Sequence, residues 1–343
     1  MGMVDALEKA GKRAFGPSAA AAVIEASKSF SKQLMKKYGI PTADYMVFDD
    51  FNRAEEYLKD APMPIVIKAD GLALGKGVII AQTREEAIAA AQSMLCGNAF
   101  GKAGARIGVE EVMTGPEVSV LCFTDGKTIV PMVTSQDHKR ALDNDMGLNT
   151  GGMGTFSPSK HYSSDCDGWL RDNILLPTVN AMNSEGRTFK GVLYFGLMLT
   201  KDGIKVLEYN ARFGDPETQV VLPRLKTDLV DIFNAVIDGT LDTINIEWSE
   251  QACVCVIMAS GGYPGKYATG YEISGLADAE ASGAVIYHAG TALKDGKLVT
   301  SGGRVLGVTA MGDTVEQARE KAYHAVEMID FKDKHFRRDI GIK

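Results

Sequence analysis

The segment Ile204-Lys-Val-Leu-Glu208-Tyr-Asn210-Ala-Arg212-Phe-Gly-Asp215-Pro-Glu217-Thr-Gln219 constrains the fold more than any other. The Asp202-Gly203 pair ahead of it is a hairpin turn signal, so residues 204–209 should pair back on residues 192–199 as antiparallel sheet. Side chains in a strand alternate faces, which predicts Glu208 and Asn210 on one face with Ile204 and Val206 behind them. A carboxylate and an amide oxygen two residues apart suit a hard cation such as Mg2+. Arg212 just beyond suits a phosphoryl group. A lone Glu-x-Asn reads equally as a solvated strand end, but the run from Arg212 to Glu217 weighs against that.

A chain of 343 residues has room for roughly two or three domains. Its 37 Lys and Arg against 44 acidic residues give a net charge of -7, which offers no basic surface for nucleic acid. The longest apolar runs, such as 64–67 and 78–81, are too short to span a membrane. The start also lacks a basic segment followed by an apolar one, so a cytoplasmic location is expected. Five cysteines without CxxC spacing and five histidines without HExxH indicate neither zinc nor a disulfide framework.

Helical and strand patterns alternate throughout, as in an α+β chain. Residues 1–26 hold a short helix near 4–7 and a Gly16-Pro17-Ser18 turn, too little for a domain. Residues 27–248 open with a helix capped by Ser27 whose Phe30, Leu34 and Tyr38 recur every four positions. Strands are expected at 65–68, 78–81, 106–113 and 117–123. Between them lies a helix over 84–95, behind the Thr83-x-x-Glu86 capping box. Asp125-Gly126 should turn a second hairpin. From 249 to 343 the pattern is a small α+β domain, with strands at 253–258, 284–288 and 305–310, then a helix carrying Val315, Ala318, Ala322, Val326 and Ile329 on one side.

Lys68-Ala-Asp70-Gly71-Leu-Ala-Leu-Gly75-Lys76-Gly77 joins two apolar strands, and its glycines allow backbone amides to close over an anion. A Walker loop needs four residues between its glycines, a Ser or Thr after the Lys, and a helix; this loop has three, then Gly77 and a strand. The flap of a hairpin fits better. A glycine-rich surface turn with two solvated lysines is the plain alternative. Lys68 continues an apolar run, so its charge needs an anionic partner.

These residues together resemble the ATP-grasp ligases and, within them, the phosphoribosylamine-glycine ligase family. The resemblance covers nearly the whole chain through Gly16-Pro17-Ser18, Ser27-Lys28, Lys68 to Gly77, Glu110-Glu111, Asp137-His-Lys-Arg140, Asn149-Thr-Gly-Gly-Met-Gly154, Glu208 to Gln219 and Gly261-Gly-Tyr-Pro-Gly265. It implies two α+β subdomains gripping ATP, with a lid over about 46–115, and a small C-terminal domain. Lys28 and Lys68 would contact the α and β phosphates, and the flap with Gly71, Gly75, Lys76 and Gly77 would close over them. Residues 109–113, with Glu110, Glu111 and Met113, would meet adenine through their backbone, so side-chain identity there should matter little. Glu117 would bind the ribose. Glu208 and Asn210 would hold Mg2+ or Mn2+, and Arg212 would steady the transferred phosphoryl group. Asp137, Lys139, Arg140, Asn149, Thr150, Gly151, Gly152, Met153 and Gly154 would bind an anionic substrate. Asp215 and Glu217 would attract the glycine ammonium or brace Arg212. The implied reaction joins glycine to 5-phosphoribosylamine through glycyl phosphate, and no general base is assigned.

The family's leading domain, with its Gly-Gly-Arg-Glu-His motif, is not found in this chain, so residues 1–26 read as its remnant. Apolar surface near residues 1–30 is therefore expected to be exposed, giving a monomer or weak self-association. Two other readings follow: a catalytically silent ATP-binding fragment that needs a second polypeptide, and a related ligase with a different acid and amine. Leu148 stands where the family usually has proline, which should loosen that loop slightly.

Overall fold

A computed structural model describes residues 2–71, 77–97 and 105–342, and the elements below are those of the described residues. Strand-forming runs separated by turn residues pair almost wholly antiparallel. The first sheet orders Tyr45–Phe48, Ile107–Glu111, Ile65–Ala69 and Val78–Ala81. Alternation sends Ile65, Ile67, Ile107 and Val109 to one face, beneath helices Phe51–Asp60 and Arg84–Leu95. Asp50 and Thr83 cap these helices by accepting from Arg53 N and Glu86 N, and Glu86 reaches back to the Gln82 amide. Lys68 and Glu110 lie on the opposite face, clear of the helices.

The second sheet orders Gly203–Asn210, Gly191–Thr200, Glu117–Thr124 and Ile129–Pro131, joined by the two expected hairpins. One face packs Val118, Val120, Leu193 and Phe195 against helices Lys28–Lys37 and Leu176–Ser184. The other packs Leu121, Phe123 and Val192 against Val220, Val221, Ile232 and Cys253. Here the sequence expectation needs correction. Gly196 pairs with Glu208 but Leu197 pairs with Val206, so Leu207 is an extra, bulged residue. The bulge resets the alternation: Ile204, Val206 and Tyr209 all enter the first core, while Glu208 and Asn210 stand on the other face, opposite Gly196 and Tyr194.

A third sheet orders Val285–His288, Arg304–Gly312, Ala252–Ser260, Gly154–Ser157 and Gln136–Asp137, and Lys334–His335 also pairs with Ala252–Ser260. It therefore runs without a break from the C-terminal region into strands drawn from the middle of the chain. Helix Val315–Met328, capped by Thr314, buries Val315, Ala318, Ala322 and Val326 on it. The last residues close over residues 140–145: Arg337, with no exposed surface, pairs with Asp145 and Asp339 and donates to Arg140 O.

At the other end, helix Met3–Lys9 buries nothing, and Met3 is 73% and Leu7 37% exposed, as expected. Further along, Phe15 stacks on Phe233 at 3.9 Å and Ile24 is buried, so among the described residues before Gly39 the exposed large apolar side chains are Met3 and Leu7. No helix among the described residues is long and apolar enough to cross a membrane.

Candidate functional site

Ser27 starts helix Lys28–Lys37 by accepting from Phe30 N, which fixes where Lys28 and Lys32, one turn apart, project. Lys28 Nζ donates to Ala69 O and Gly71 O, both at 3.2 Å, where the glycine-rich loop leaves its strand. Asp70 locks the same junction, accepting from Ser29 N at 2.6 Å and Ser29 Oγ at 2.8 Å, with Arg106 at 3.1 Å. Lys68 lies 2.8 Å from Glu110 Oε2, and Lys32 reaches the same oxygen at 3.0 Å. Burial lowers the Lys28 and Lys32 pKa values; for Lys32 it is opposed chiefly by Glu110. Burial opposes ionisation of Glu110, but Lys68 and Lys32 outweigh it and hold the carboxyl below its usual range. Side-chain identity at position 110 therefore matters, because its carboxylate is the hub of a buried ion cluster. Glu111 instead faces outward, paired with Lys205 at 3.2 Å. Gly71 and Gly77 flank this loop, Gly77 O accepting from Ala69 N, whereas Gly75 and Lys76 lie outside the described residues. Met113, half-buried, follows the strand Ile107–Glu111.

Across the cleft, Glu117, Glu208 and Asn210 share one face of the second sheet. Among the described residues Glu208 has no ion-pair partner, and its field reaches both Lys28 and Lys139. Asn210 Oδ1 accepts from Arg212 Nη2 at 3.2 Å. These are hard oxygen donors on one solvent-facing strand end, which fits a divalent cation whose remaining positions come from phosphate and water. Among the described residues no cluster of three or more His, Cys, Asp or Glu offers a self-sufficient metal cage. Gly196 sits opposite Glu208, where an added Cβ would come within 3.3 Å of Glu208 Cγ.

Arg212 is braced by Glu25, whose Oε1 lies 3.2 Å from Nε and whose Oε2 accepts from Ala211 N at 2.8 Å. Neither Asp215 nor Glu217 does this. Asp215 holds Arg304 at 2.7 Å and accepts from Gln219, while buried Glu217 accepts from Tyr194 OH at 2.9 Å. Arg304 also donates to Gly151 O, so one guanidinium from the C-terminal region ties the Asp215 turn to the loop 149–154.

Within that loop, Thr150 Oγ1 donates to Lys139 O and accepts from Gly152 N, and Gly151 N donates to Tyr263 OH. Gly152 has φ of +114° and lies against the Pro216 ring, so a side chain there would collide. Asn149 is exposed and pairs with Arg140, whose guanidinium donates to Gly147 O. Met153 is wholly buried, its backbone joining His138 to Ile257, and Gly154 is already in the third sheet. Lys139 and Glu117 pair at 2.6 Å. Burial would lower the Lys139 pKa, but Asp137 and Glu117 outweigh it and raise it; Lys139 in turn depresses Glu117. Burial raises the Asp137 carboxyl to about 7 against the pull of Lys139. His138 is buried beside Phe156, and burial together with the Arg337 charge lowers it to about 4. Its neutral ring is turned inward, which removes it from acid-base work at the cleft.

Lys32, Glu25 and Arg304 are the residues of this region that sequence reading missed. The only available signal was the spacing of Lys32 four residues beyond Lys28.

Residues 26–218 match the model of the phosphoribosylglycinamide synthetase ATP-grasp (A) domain, and residues 253–343 match the model of the C domain of the same synthetase. Phosphoribosylamine-glycine ligase of Caldanaerobacter subterraneus is 49% identical over 340 residues, 99% of this chain and 81% of the relative. The Escherichia coli O157:H7 protein of the same name is 50% identical over 342 residues, 99% of this chain and 80% of its own length. The crystal structure of the Thermotoga maritima phosphoribosylamine-glycine ligase superposes with a TM-score of 0.88 at 37% identity, covering 95% of this chain and 81% of that one. Biotin carboxylase from Campylobacter jejuni, at 14% identity and a TM-score of 0.74, shares the fold alone. On these matches along its length, the chain belongs to the phosphoribosylglycinamide synthetase family of ATP-grasp ligases.

Proposed function

We propose that this chain ligates glycine to 5-phosphoribosylamine with ATP, giving glycinamide ribonucleotide, ADP and phosphate in purine biosynthesis. The observation that carries this reading is the convergence of Glu208, Asn210 and Arg212 at one strand end, with Glu208 within electrostatic reach of Lys28. Lys28, Lys68 and the flap bind the nucleotide phosphates, with Gly71, Gly75, Lys76 and Gly77 closing over them. Residues 109–113 meet the adenine and Glu117 the ribose. Glu208 and Asn210 hold a divalent cation, magnesium or manganese, which neutralises phosphate charge when bound. Arg212, released by Asn210, steadies the phosphoryl group in flight.

A glycine carboxylate oxygen attacks the γ-phosphorus in line as the bond to the bridging oxygen breaks, and ADP leaves. The amine of phosphoribosylamine then attacks the acyl carbon, its proton passes to solvent, and phosphate departs. Glycyl phosphate hydrolyses readily, so exclusion of water by the flap protects it. Lys139, Arg140, Asn149 and Thr150 take the anionic substrate, and Asp137 with Glu217 faces the glycine ammonium. Asp215 acts through Arg304 to set the loop at Gly151 and Gly152.

The test is ADP release by the purified chain with Mg-ATP, glycine and phosphoribosylamine, compared with Asn210→Ala. Release should need both substrates and fall at least about 100-fold in the variant. Release that ignores glycine but responds to another carboxylic acid would overturn the substrate assignment.

A further inference from the structure

Lys32 is 5% exposed at its side chain, on the helix face it shares with Lys28. Its ammonium meets three side chains. It reaches Glu110 Oε2 at 3.0 Å, lies 5.9 Å from the centre of the Tyr45 ring, and donates to Thr42 Oγ1 at 2.9 Å. Tyr45 and Glu110 are paired residues of the lid sheet. Thr42 belongs to the segment entering the lid; its hydroxyl donates to Val206 O at 2.7 Å, and Val206 N donates to Pro41 O. Val206 is on the strand that ends in Glu208 and Asn210. One buried cation thus connects the lid sheet, the lid's entry and the proposed metal-binding strand.

The charges add to this. Glu110 Oε2 is shared by two ammonium groups, so the cluster Lys32, Lys68 and Glu110 keeps one positive charge in surplus in a volume nearly closed to water. A buried surplus charge is costly until an anion arrives. With Lys32 absent, Glu110 and Lys68 would form a closed neutral pair and Lys68 would have little left to offer a phosphate.

We propose that Lys32 is a positioning residue of the nucleotide site: by sharing the Glu110 carboxylate it leaves the Lys68 ammonium available to a polyphosphate, and it fixes the lid against the strand carrying Glu208 and Asn210. This rests on the reading of Lys68 as a phosphate ligand. It requires no direct contact between Lys32 and the nucleotide.

The test is the dissociation constant of Mg-ATP, by titration calorimetry, for the wild-type chain, Lys68→Met, Lys32→Met and the pair Lys32→Met with Glu110→Gln. Lys32→Met should weaken binding about tenfold or more, and adding Glu110→Gln should restore most of it, because the pair regains one surplus positive charge. A purely structural Lys32 would lower the thermal midpoint, leave the dissociation constant unchanged and show no rescue; that result overturns the proposal. If Lys68→Met weakens binding while Lys32→Met does not, only the role of Lys32 falls. If Lys68→Met leaves binding unchanged, the nucleotide-site reading falls with it. Lys32→Gln, which removes the charge but keeps a donor for Thr42, carries the same comparison should the methionine variant not fold.

Discussion

On the first sheet, Lys32 and Glu110 are 5% and 3% exposed and meet the 12%-exposed Lys68 at a single oxygen, whereas at the facing strand end the Arg212 side chain is 55% exposed and is held by Asn210 and Glu25 at 3.2 Å. Both regions are charged and both face the same cleft. The sealed cluster is organised before any ligand arrives, because a charge out of water tolerates few arrangements. The open one is exchangeable: Asn210 and Glu25 hold Arg212 by contacts that water or phosphate can replace at little cost. On the proposed function, the closed region would grip the polyphosphate while the open one would let a cation and a phosphoryl group move.

The comparison breaks most readily at Glu110. Glu110→Ala strands two buried ammonium groups and should destabilise the chain by about 3–5 kcal/mol, read by denaturant unfolding without nucleotide. A loss near that of a surface pair, below about 1 kcal/mol, would mean that the cluster is not sealed. A second test uses the closed side of the loop 137–154. His138 stays neutral in the fold, its pKa lowered from 6.5 to about 4 first by burial and then by Arg337, while the unfolded chain takes up a proton near 6.5. The stability it confers is therefore full above pH 6.5 and is lost as the pH falls toward 4, at up to about 1.4 kcal/mol per pH unit. His138→Phe should flatten that acid limb while leaving the chain folded at neutral pH. An unchanged slope would assign the acid limb to other groups.

Local chemistry was legible in the sequence where a short pattern sufficed. The Asp125-Gly126 and Asp202-Gly203 turns, the caps at Ser27 and Thr83, and the helix face from Val315 to Ile329 all follow from neighbours within a few residues. The strand end with Glu208 and Asn210 was legible for the same reason. What failed needed partners far along the chain: Glu25 meets Ala211 across 186 positions and Arg304 meets Gly151 across 153. No local pattern announces such a contact. The bulge at Leu207 also lacks a sequence signature, so strict alternation put Ile204 and Val206 on the wrong side of Glu208. Met153 looked like part of a polar loop because its flanking glycines dominate the pattern, while its backbone bonds to His138 and Ile257 draw it into the core.

The smallest effect belongs to the rim. Lys139 and Glu117 pair at 2.6 Å, but each side chain is about two-fifths exposed, so solvent screens the attraction and both chains lose rotamer freedom. Lys139→Met should change stability by less than about 1 kcal/mol. The pair is still visible by titration, because Lys139 is the chief cause of the lowered Glu117 pKa. In the variant the Glu117 carboxyl should titrate at higher pH, followed by NMR of the side-chain carboxyl carbon. Since a depressed carboxyl stabilises the fold above its unfolded pKa and loses that contribution as the pH falls, the variant should differ from the parent least in strong acid. If Lys139 also takes the anionic substrate, KM for phosphoribosylamine rises in this variant while thermal stability barely moves. A large stability loss with KM unchanged would move Lys139 into the sealed class with Lys32, and the division between the two halves of the cleft would then fail at the residue where it is easiest to measure.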